Sequence, residues 1–254
     1  MMNLSRSSNP ALKENIFHRD YAGSGEVMTV NGTVNKTILS LLLVILAAVY
    51  TWNKFYNAGS TEAGMSAVMP WLLIGGIGGL VTALVTVFRP KSSAVSVPIY
   101  AVLEGLLLGG LSALFEARHG GIVMRAVALS LAVFAVMLFL YRSGIIKVTR
   151  GFMLGVLAAT GGIFLVYIVS FVAGLFGAEL GFLHGSSNLS IGFSLVVVGV
   201  AALNLVLDFA FIEKAAESGA PKYMEWYGAF GLLVTLIWLY LEMLRLLSKM
   251  ANRN

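Results

Sequence analysis

The sequence predicts an all-α integral membrane protein, built as a bundle of seven transmembrane helices. Hydrophobic side chains make up 58% of its 254 residues, and only 11% of the residues are charged. In soluble globular domains about a quarter of the residues are charged, and the mean hydropathy here is +0.88. The apolar residues also occur in blocks of about twenty, the length of helix that crosses a hydrocarbon core of about 30 Å.

Seven apolar blocks define the predicted helices, and short polar joints separate them. Joints this short, such as the one marked by Arg89-Pro90-Lys91, predict that consecutive helices are antiparallel neighbours. Residues 1–35 are polar and of mixed charge, so we expect a mobile cytoplasmic tail followed by a membrane domain over residues 36–250. The predicted spans are residues 37–52, 66–88, 97–115, 122–141, 152–176, 189–212 and 226–247.

The distribution of Lys and Arg predicts the orientation of the bundle. With a cytoplasmic amino terminus and seven crossings, the inside segments hold eleven of these residues and the outside segments hold six, and the positive-inside bias favours this orientation. Half of the outside residues lie at the carboxyl end. An alternative topology, in which the last helix does not fully cross the membrane, is therefore retained. The inside residues are Arg6, Lys13, Arg19, Lys36, Arg89, Lys91, Arg142, Lys147, Arg150, Lys214 and Lys222, and the outside residues are Lys54, Arg118, Arg125, Arg245, Lys249 and Arg253.

Glycine is abundant, with 28 residues. Gly75 and Gly79 form a GxxxG pair in the second span, and Gly151 and Gly155 form another near the start of the fifth. Small residues allow helix backbones to approach closely in a membrane, where the hydrophobic effect does not drive helix association. Both pairs are therefore predicted to lie in helix contacts.

Three acidic residues lie within apolar blocks, where an ionised side chain costs about 2.5 to 3.5 kcal/mol on insertion scales. They are Glu104 in the third span, Asp208 in the sixth and Glu242 in the seventh. Each also has a structural interpretation. Glu242 can form a local ion pair with Arg245, Asp208 can belong with Glu213 to an interfacial helix end, and Glu104 can stay protonated as a hydrogen-bonded strut.

Hydrolytic activity and nucleic-acid binding are not expected. The chain has no cysteine, and its three histidines lie in the tail or the joints, so none can activate a serine within the membrane. No HExxH zinc motif occurs. A retinal Schiff base would require a lysine inside the last span, and Lys249 stands at or beyond its end. The basic residues form no stripe with interleaved aromatic residues, which argues against a nucleic-acid partner.

Four stretches indicate a known family, and the most specific lie in the carboxyl-terminal third. They are Arg6-Ser-Ser-Asn-Pro10, Ala101-Val-Leu-Glu104-Gly105, the segment from Ile191-Gly-Phe-Ser-Leu-Val-Val-Val-Gly199 to Asn204-Leu-Val-Leu-Asp208, and the segment from Met224-Glu-Trp-Tyr227 to Leu239-Tyr240-Leu-Glu242. Over nearly its whole length the chain resembles the Bax inhibitor-1 (transmembrane Bax-inhibitor-motif) family, in the bacterial subgroup that is similar to the protease-modulator branch. The resemblance implies a bundle of six helices around a central last helix, in the bacterial inner (plasma) membrane.

The resemblance also implies a site. Members with a studied mechanism carry one acid late in the sixth helix and one in the seventh, and this pH-sensitive pair closes a calcium leak. In those members both acids are aspartates; Asp208 matches the first and Glu242 matches the second with a longer acid, and the two would be the calcium ligands. Arg89, at the end of the second span, matches the counter-ion of the sixth-helix acid. However, a simple hairpin that folds at Gly219 would place Asp208 opposite Gly231 and leave Glu242 about 16 Å away.

From these observations we expect a pH-sensitive cation leak channel or sensor, with calcium as the ion and a buried acidic pair as the gate. Carboxylate oxygens suit hard cations, and two nearby carboxyl groups can share a proton that acts as a latch. No resident cofactor is expected beyond a transient calcium ion. The alternative is a non-transporting regulator that binds a membrane protease or another membrane protein. Membrane lipids are partners in either case.

Overall fold

The computed structural model describes residues 26–177 and 185–253, and these residues form seven long helices. Each helix is long and apolar enough to cross a membrane. The seven predicted spans are therefore present, and the protein is a multi-pass integral membrane protein. The expected tail lies largely outside the described residues. The helices are α1 (Val30–Tyr56), α2 (Thr61–Phe88), α3 (Ser93–Arg118), α4 (Ile122–Arg142), α5 (Arg150–Leu175), α6 (Asn188–Glu217) and α7 (Met224–Ala251).

The last helix, α7, occupies the centre of the bundle. It packs against α1, α3, α4 and α6, and three separate clusters of buried apolar side chains each include residues of α7. In its most apolar stretch 56% of the residues are buried, against 11% in α5, the most peripheral helix. This arrangement confirms the predicted bundle with a central last helix.

Glycines bring α3 close to both α1 and α2. A Cβ atom at Gly109 would lie 2.1 Å from the Ala48 carbonyl oxygen of α1, and one at Gly75 would lie 2.6 Å from the Leu103 carbonyl oxygen of α3. Such distances leave no room for a side chain. The prediction was wrong for Gly151 and Gly155, where a Cβ would meet no atom within 4 Å. The reason is that α5 lies at the periphery and turns this part of its surface away from the bundle.

Most helices extend beyond their apolar blocks. The structure begins α1 at Val30, so residues 30–35 are helical rather than part of the expected tail. Thr29 causes this early start, because its hydroxyl accepts a hydrogen bond from the Gly32 amide and caps the helix. At the same end of the bundle, Gly219 follows the last residues of α6 and has a φ of 69°, as expected of a glycine that follows a helix.

The segment before α1 is attached to the connection between α6 and α7. Val27 and Pro221 form an isolated antiparallel bridge. The Met28 amide donates to the Ala220 carbonyl at 2.7 Å, and the Lys222 amide donates to the carbonyl of Glu26 at 3.2 Å. The start of α1 and the start of α7 are thereby held at the same end of the bundle.

Candidate cation site

A cavity of about 510 Å³ lies between α2, α3, α6 and α7. Four residues of α2, two of α3, one of α6 and four of α7 line it. Along α2 it extends from Val87 to Gly76, a distance of about 16 Å over eleven residues. Val87 precedes the last residue of α2, so the cavity begins near the joint between α2 and α3. Glu104 and Asp208 are the acidic residues that line the cavity.

Asp208 reaches the cavity from α6, nine residues before that helix ends. Its Oδ1 atom lies 3.5 Å from the position that a Cβ would take at Gly231, and the Thr235 hydroxyl of α7 lies beside the carboxyl group. Its Oδ2 atom is buried and has no hydrogen-bond partner among the described residues. A buried carboxylate oxygen without a partner has lost its hydration without gaining another interaction.

Glu104 reaches the same cavity from α3. Its Oε1 atom lies 2.8 Å from the position of a Cβ at Gly79 of α2, so the absence of a side chain at Gly79 makes room for this carboxyl group. Tyr100, one turn earlier on α3, places its hydroxyl against the Glu104 carboxyl group. The Tyr100 ring packs edge-on against Phe230 of α7, with the ring centroids 5.1 Å apart. The tyrosine therefore fixes the Glu104 side chain from a rigid position.

The structure does not bring the predicted acidic pair together. Asp208 lies opposite Gly231, whereas Glu242 lies eleven residues further along α7, or about 16 Å away. The physical reason is that both α6 and α7 are continuous helices up to the tight turn around Gly219, so the hairpin register is a simple one. A calcium site made of Asp208 and Glu242 is therefore not assembled in this structure.

Glu242 belongs to a different polar cluster, near the far end of α7. Its side chain is 2% exposed. Its Oε1 atom accepts hydrogen bonds from Arg245 at 2.6 Å and from the Tyr167 hydroxyl of α5 at 2.9 Å. Arg245 also donates to the Tyr167 hydroxyl. The ion pair that the three-residue spacing allowed is present, and it connects α7 to the peripheral helix α5.

Arg89 does not act as a counter-ion to Asp208 in this structure. Its side chain is exposed, it does not line the cavity, and no ion pair among the described residues involves it. Arg89 follows the last residue of α2, where its amide donates to the Val85 carbonyl. Its place after the end of the helix, which suggested the role, leaves it exposed and outside the lining of the cavity.

Resident metal binding by three or more protein ligands is not supported. Within the described residues no group of three or more His, Asp or Glu side chains could hold an ion. The cavity offers two carboxyl groups and two hydroxyl groups instead. This is a donor set of hard oxygen atoms, of the kind that binds calcium or magnesium with water completing the coordination shell.

Sequence reasoning missed Glu225, which is the most enclosed acid among the described residues. Its side chain is 0% exposed, and it accepts hydrogen bonds at 2.9 Å from both the amide and the hydroxyl of Thr29. Lys36 donates to its other oxygen, and Lys222 lies 3.5 Å away. The only signal in the sequence was a lysine and an acid just ahead of their apolar blocks, which also suits two exposed interfacial residues.

Comparison with known proteins places the chain in a family. No curated protein and no solved structure matches it. A protein family described as "Bax inhibitor 1 like" matches residues 9–252, nearly the whole chain. The match includes all seven helices and both acidic residues of the cavity. The chain therefore belongs to the Bax inhibitor 1-like family of membrane proteins.

Proposed function

We propose that this protein is a pH-sensitive cation leak channel or sensor, with calcium as the ion and Asp208 as the acid that responds to pH. The observation that carries the proposal is the Oδ2 atom of Asp208, which is buried, lacks a partner and belongs to a residue that lines a cavity of about 510 Å³. Acids within membrane spans face protein or water and commonly mark ion pathways.

The chemistry of Asp208 couples cation binding to pH. A carboxylate in a medium of low dielectric constant is destabilised unless a proton or a cation joins it. A proton and a cation would compete for the same oxygen atoms, so binding of one disfavours binding of the other. This competition makes any cation flux through the cavity depend on pH without a second titrating acid on α7.

The position of the cavity supports a cytoplasmic opening. It begins near the joint between α2 and α3, and Ser93 of that region donates a hydrogen bond to the Tyr223 carbonyl at the start of α7. In the orientation favoured by the Lys and Arg distribution, this end of the bundle faces the cytoplasm, and we propose the bacterial inner membrane as the location. Reporter fusions at both termini test the orientation, which would be wrong if both reporters lay on one side.

Calcium flux from proteoliposomes tests the proposed function. The wild-type protein should conduct calcium to an extent that changes across a pH series, whereas protein-free liposomes should not. Gly76→Leu should reduce the flux severalfold, because Gly76 lines the cavity and a Cβ there makes only an ordinary contact of 3.9 Å with Leu107. The added side chain therefore fits the fold and occupies the cavity.

Gly162→Leu provides the matched control. Gly162 lies on α5 and its Cβ would meet no atom within 4 Å, so this variant adds the same side chain outside the cavity and should keep the wild-type flux. Wild-type protein that conducts nothing at any pH, in liposomes where it is folded, would contradict the leak. That result would favour the regulator of a protease or another membrane protein.

A further inference from the structure

We infer that Glu104 of α3 and Asp208 of α6 together bind one divalent cation in the cavity. This inference rests on the proposed function and names its second ligand, which comes from α3 rather than from α7. The two carboxyl groups line the same cavity, and the Tyr100 and Thr235 hydroxyls lie beside them. No acid of α7 contributes to this site.

The distribution of cations in the bundle separates these two half-buried acids from the two acids that are fully buried. Glu225 is neutralised by Lys36, with Lys222 nearby, and Glu242 is neutralised by Arg245. Glu104 and Asp208 take part in no ion pair among the described residues.

The cavity wall also lacks positive charge. Its remaining residues on α2 and α7 are glycines, aliphatic residues, Phe230 and Thr235, with no Lys, Arg or His among them. Each carboxylate in this apolar cavity is destabilised unless a positive charge lies beside it. The part of the chain that the structure describes supplies none there, so a cation or protons would take that place.

Divalent character follows from the charge and the donor atoms. Two carboxylates carry two negative charges, which one calcium or magnesium ion neutralises. The carboxyl and hydroxyl groups together offer up to six oxygen atoms, and calcium takes about six to eight at about 2.3 to 2.6 Å. Two glycines keep the site open, because Gly79 lies beside Glu104 and Gly231 lies beside Asp208.

Calcium binding by the purified full-length protein tests the inference independently of flux. Equilibrium binding of radioactive calcium in detergent should show one ion per chain for the wild type. Glu104→Gln and Asp208→Asn should each weaken binding by about tenfold or more. The double variant should lose less affinity than the two single effects combined, because both carboxylates act on the same ion. Glu104→Asp, which keeps a carboxylate, should retain part of the affinity.

Glu242→Gln is the matched control, since it removes a buried acid outside the cavity and should bind calcium as the wild type does. Each variant is compared by melting temperature, and Glu104→Asp provides a second measurement if Glu104→Gln does not fold. Wild-type affinity in Glu104→Gln, with affinity lost in Asp208→Asn, would overturn the inference and leave the proposed function intact. Flux that is absent in the wild type, with calcium binding still dependent on Glu104, would instead overturn the leak alone.

Discussion

Individual acids in this bundle differ in how their charge is balanced. Glu225 is fully buried and accepts hydrogen bonds from Thr29 and Lys36, and Glu242 is paired with Arg245. Asp208 is half-buried and takes part in no ion pair among the described residues. Balanced charges stabilise the fold, whereas an unbalanced charge remains available to a ligand. An acid in this bundle therefore has a structural role where a Lys or Arg balances its charge, and a proposed functional role where none does.

Lys36→Met should show how much the balanced pair contributes. It keeps the apolar length of the side chain but leaves Glu225 without its closest cation, so the free energy of unfolding should fall by about 3 kcal/mol. Lys54→Met is the control, because Lys54 is exposed and lies over the Tyr50 ring at 5.7 Å, a contact of about 1 kcal/mol or less. Unfolding of both variants in detergent measures the two free-energy changes. Equal losses would show that the Lys36–Glu225 pair stabilises the fold no more than the exposed Lys54 contact does.

At the scale of the helices, α3 is held by glycine contacts and α5 is held by polar ones. Gly109 allows α3 to approach the α1 backbone. On α5, Thr160 accepts a hydrogen bond from Asn204, and Tyr167 binds Glu242 and Arg245. Only Val156 and Ile163 of α5 are buried. The contacts of α3 depend on shape, whereas those of α5 depend on a few side chains.

Alanine substitutions at two glycines should therefore have opposite effects. Gly109→Ala places a Cβ 2.1 Å from the Ala48 carbonyl oxygen, so α1 and α3 must separate and stability should fall by about 1 to 3 kcal/mol. Gly155→Ala meets no atom within 4 Å and should raise stability by up to about 1 kcal/mol through helix propensity. The melting temperatures of the two variants decide this, and a stable Gly109→Ala protein would rule out the close approach.

The elements were more predictable from the sequence than the site was. Apolar blocks of about twenty residues define spans by length alone, so all seven were expected. The sequence did not show which side of each helix faces protein, because in a membrane both lipid-facing and buried positions are apolar. This is why Gly75 and Gly79 could not be distinguished from Gly151 and Gly155. Glu104 and Asp208 lie far apart in sequence, and only the packing of four helices places them at one cavity.

For the whole molecule, α7 has structural polar contacts near its two ends and lines the proposed cation site between them. Glu225 at its start connects it to the segment before α1, and Glu242 near its end connects it to α5. Between these two polar clusters, Gly231 and Thr235 line the cavity. Both acids of α7 thus connect helices to each other, and Asp208 and Glu104 are left as the candidate cation ligands.

One measurement compares these roles directly, namely calcium flux across a pH series in proteoliposomes that contain wild-type, Asp208→Asn or Glu242→Gln protein. We expect Asp208→Asn to lose the pH dependence of the flux, because it removes the carboxylate for which protons and cations compete. Glu242→Gln should lower the melting temperature but keep the wild-type pH profile. A changed pH profile in Glu242→Gln, with an unchanged one in Asp208→Asn, would contradict the assignment of the cation site to this cavity.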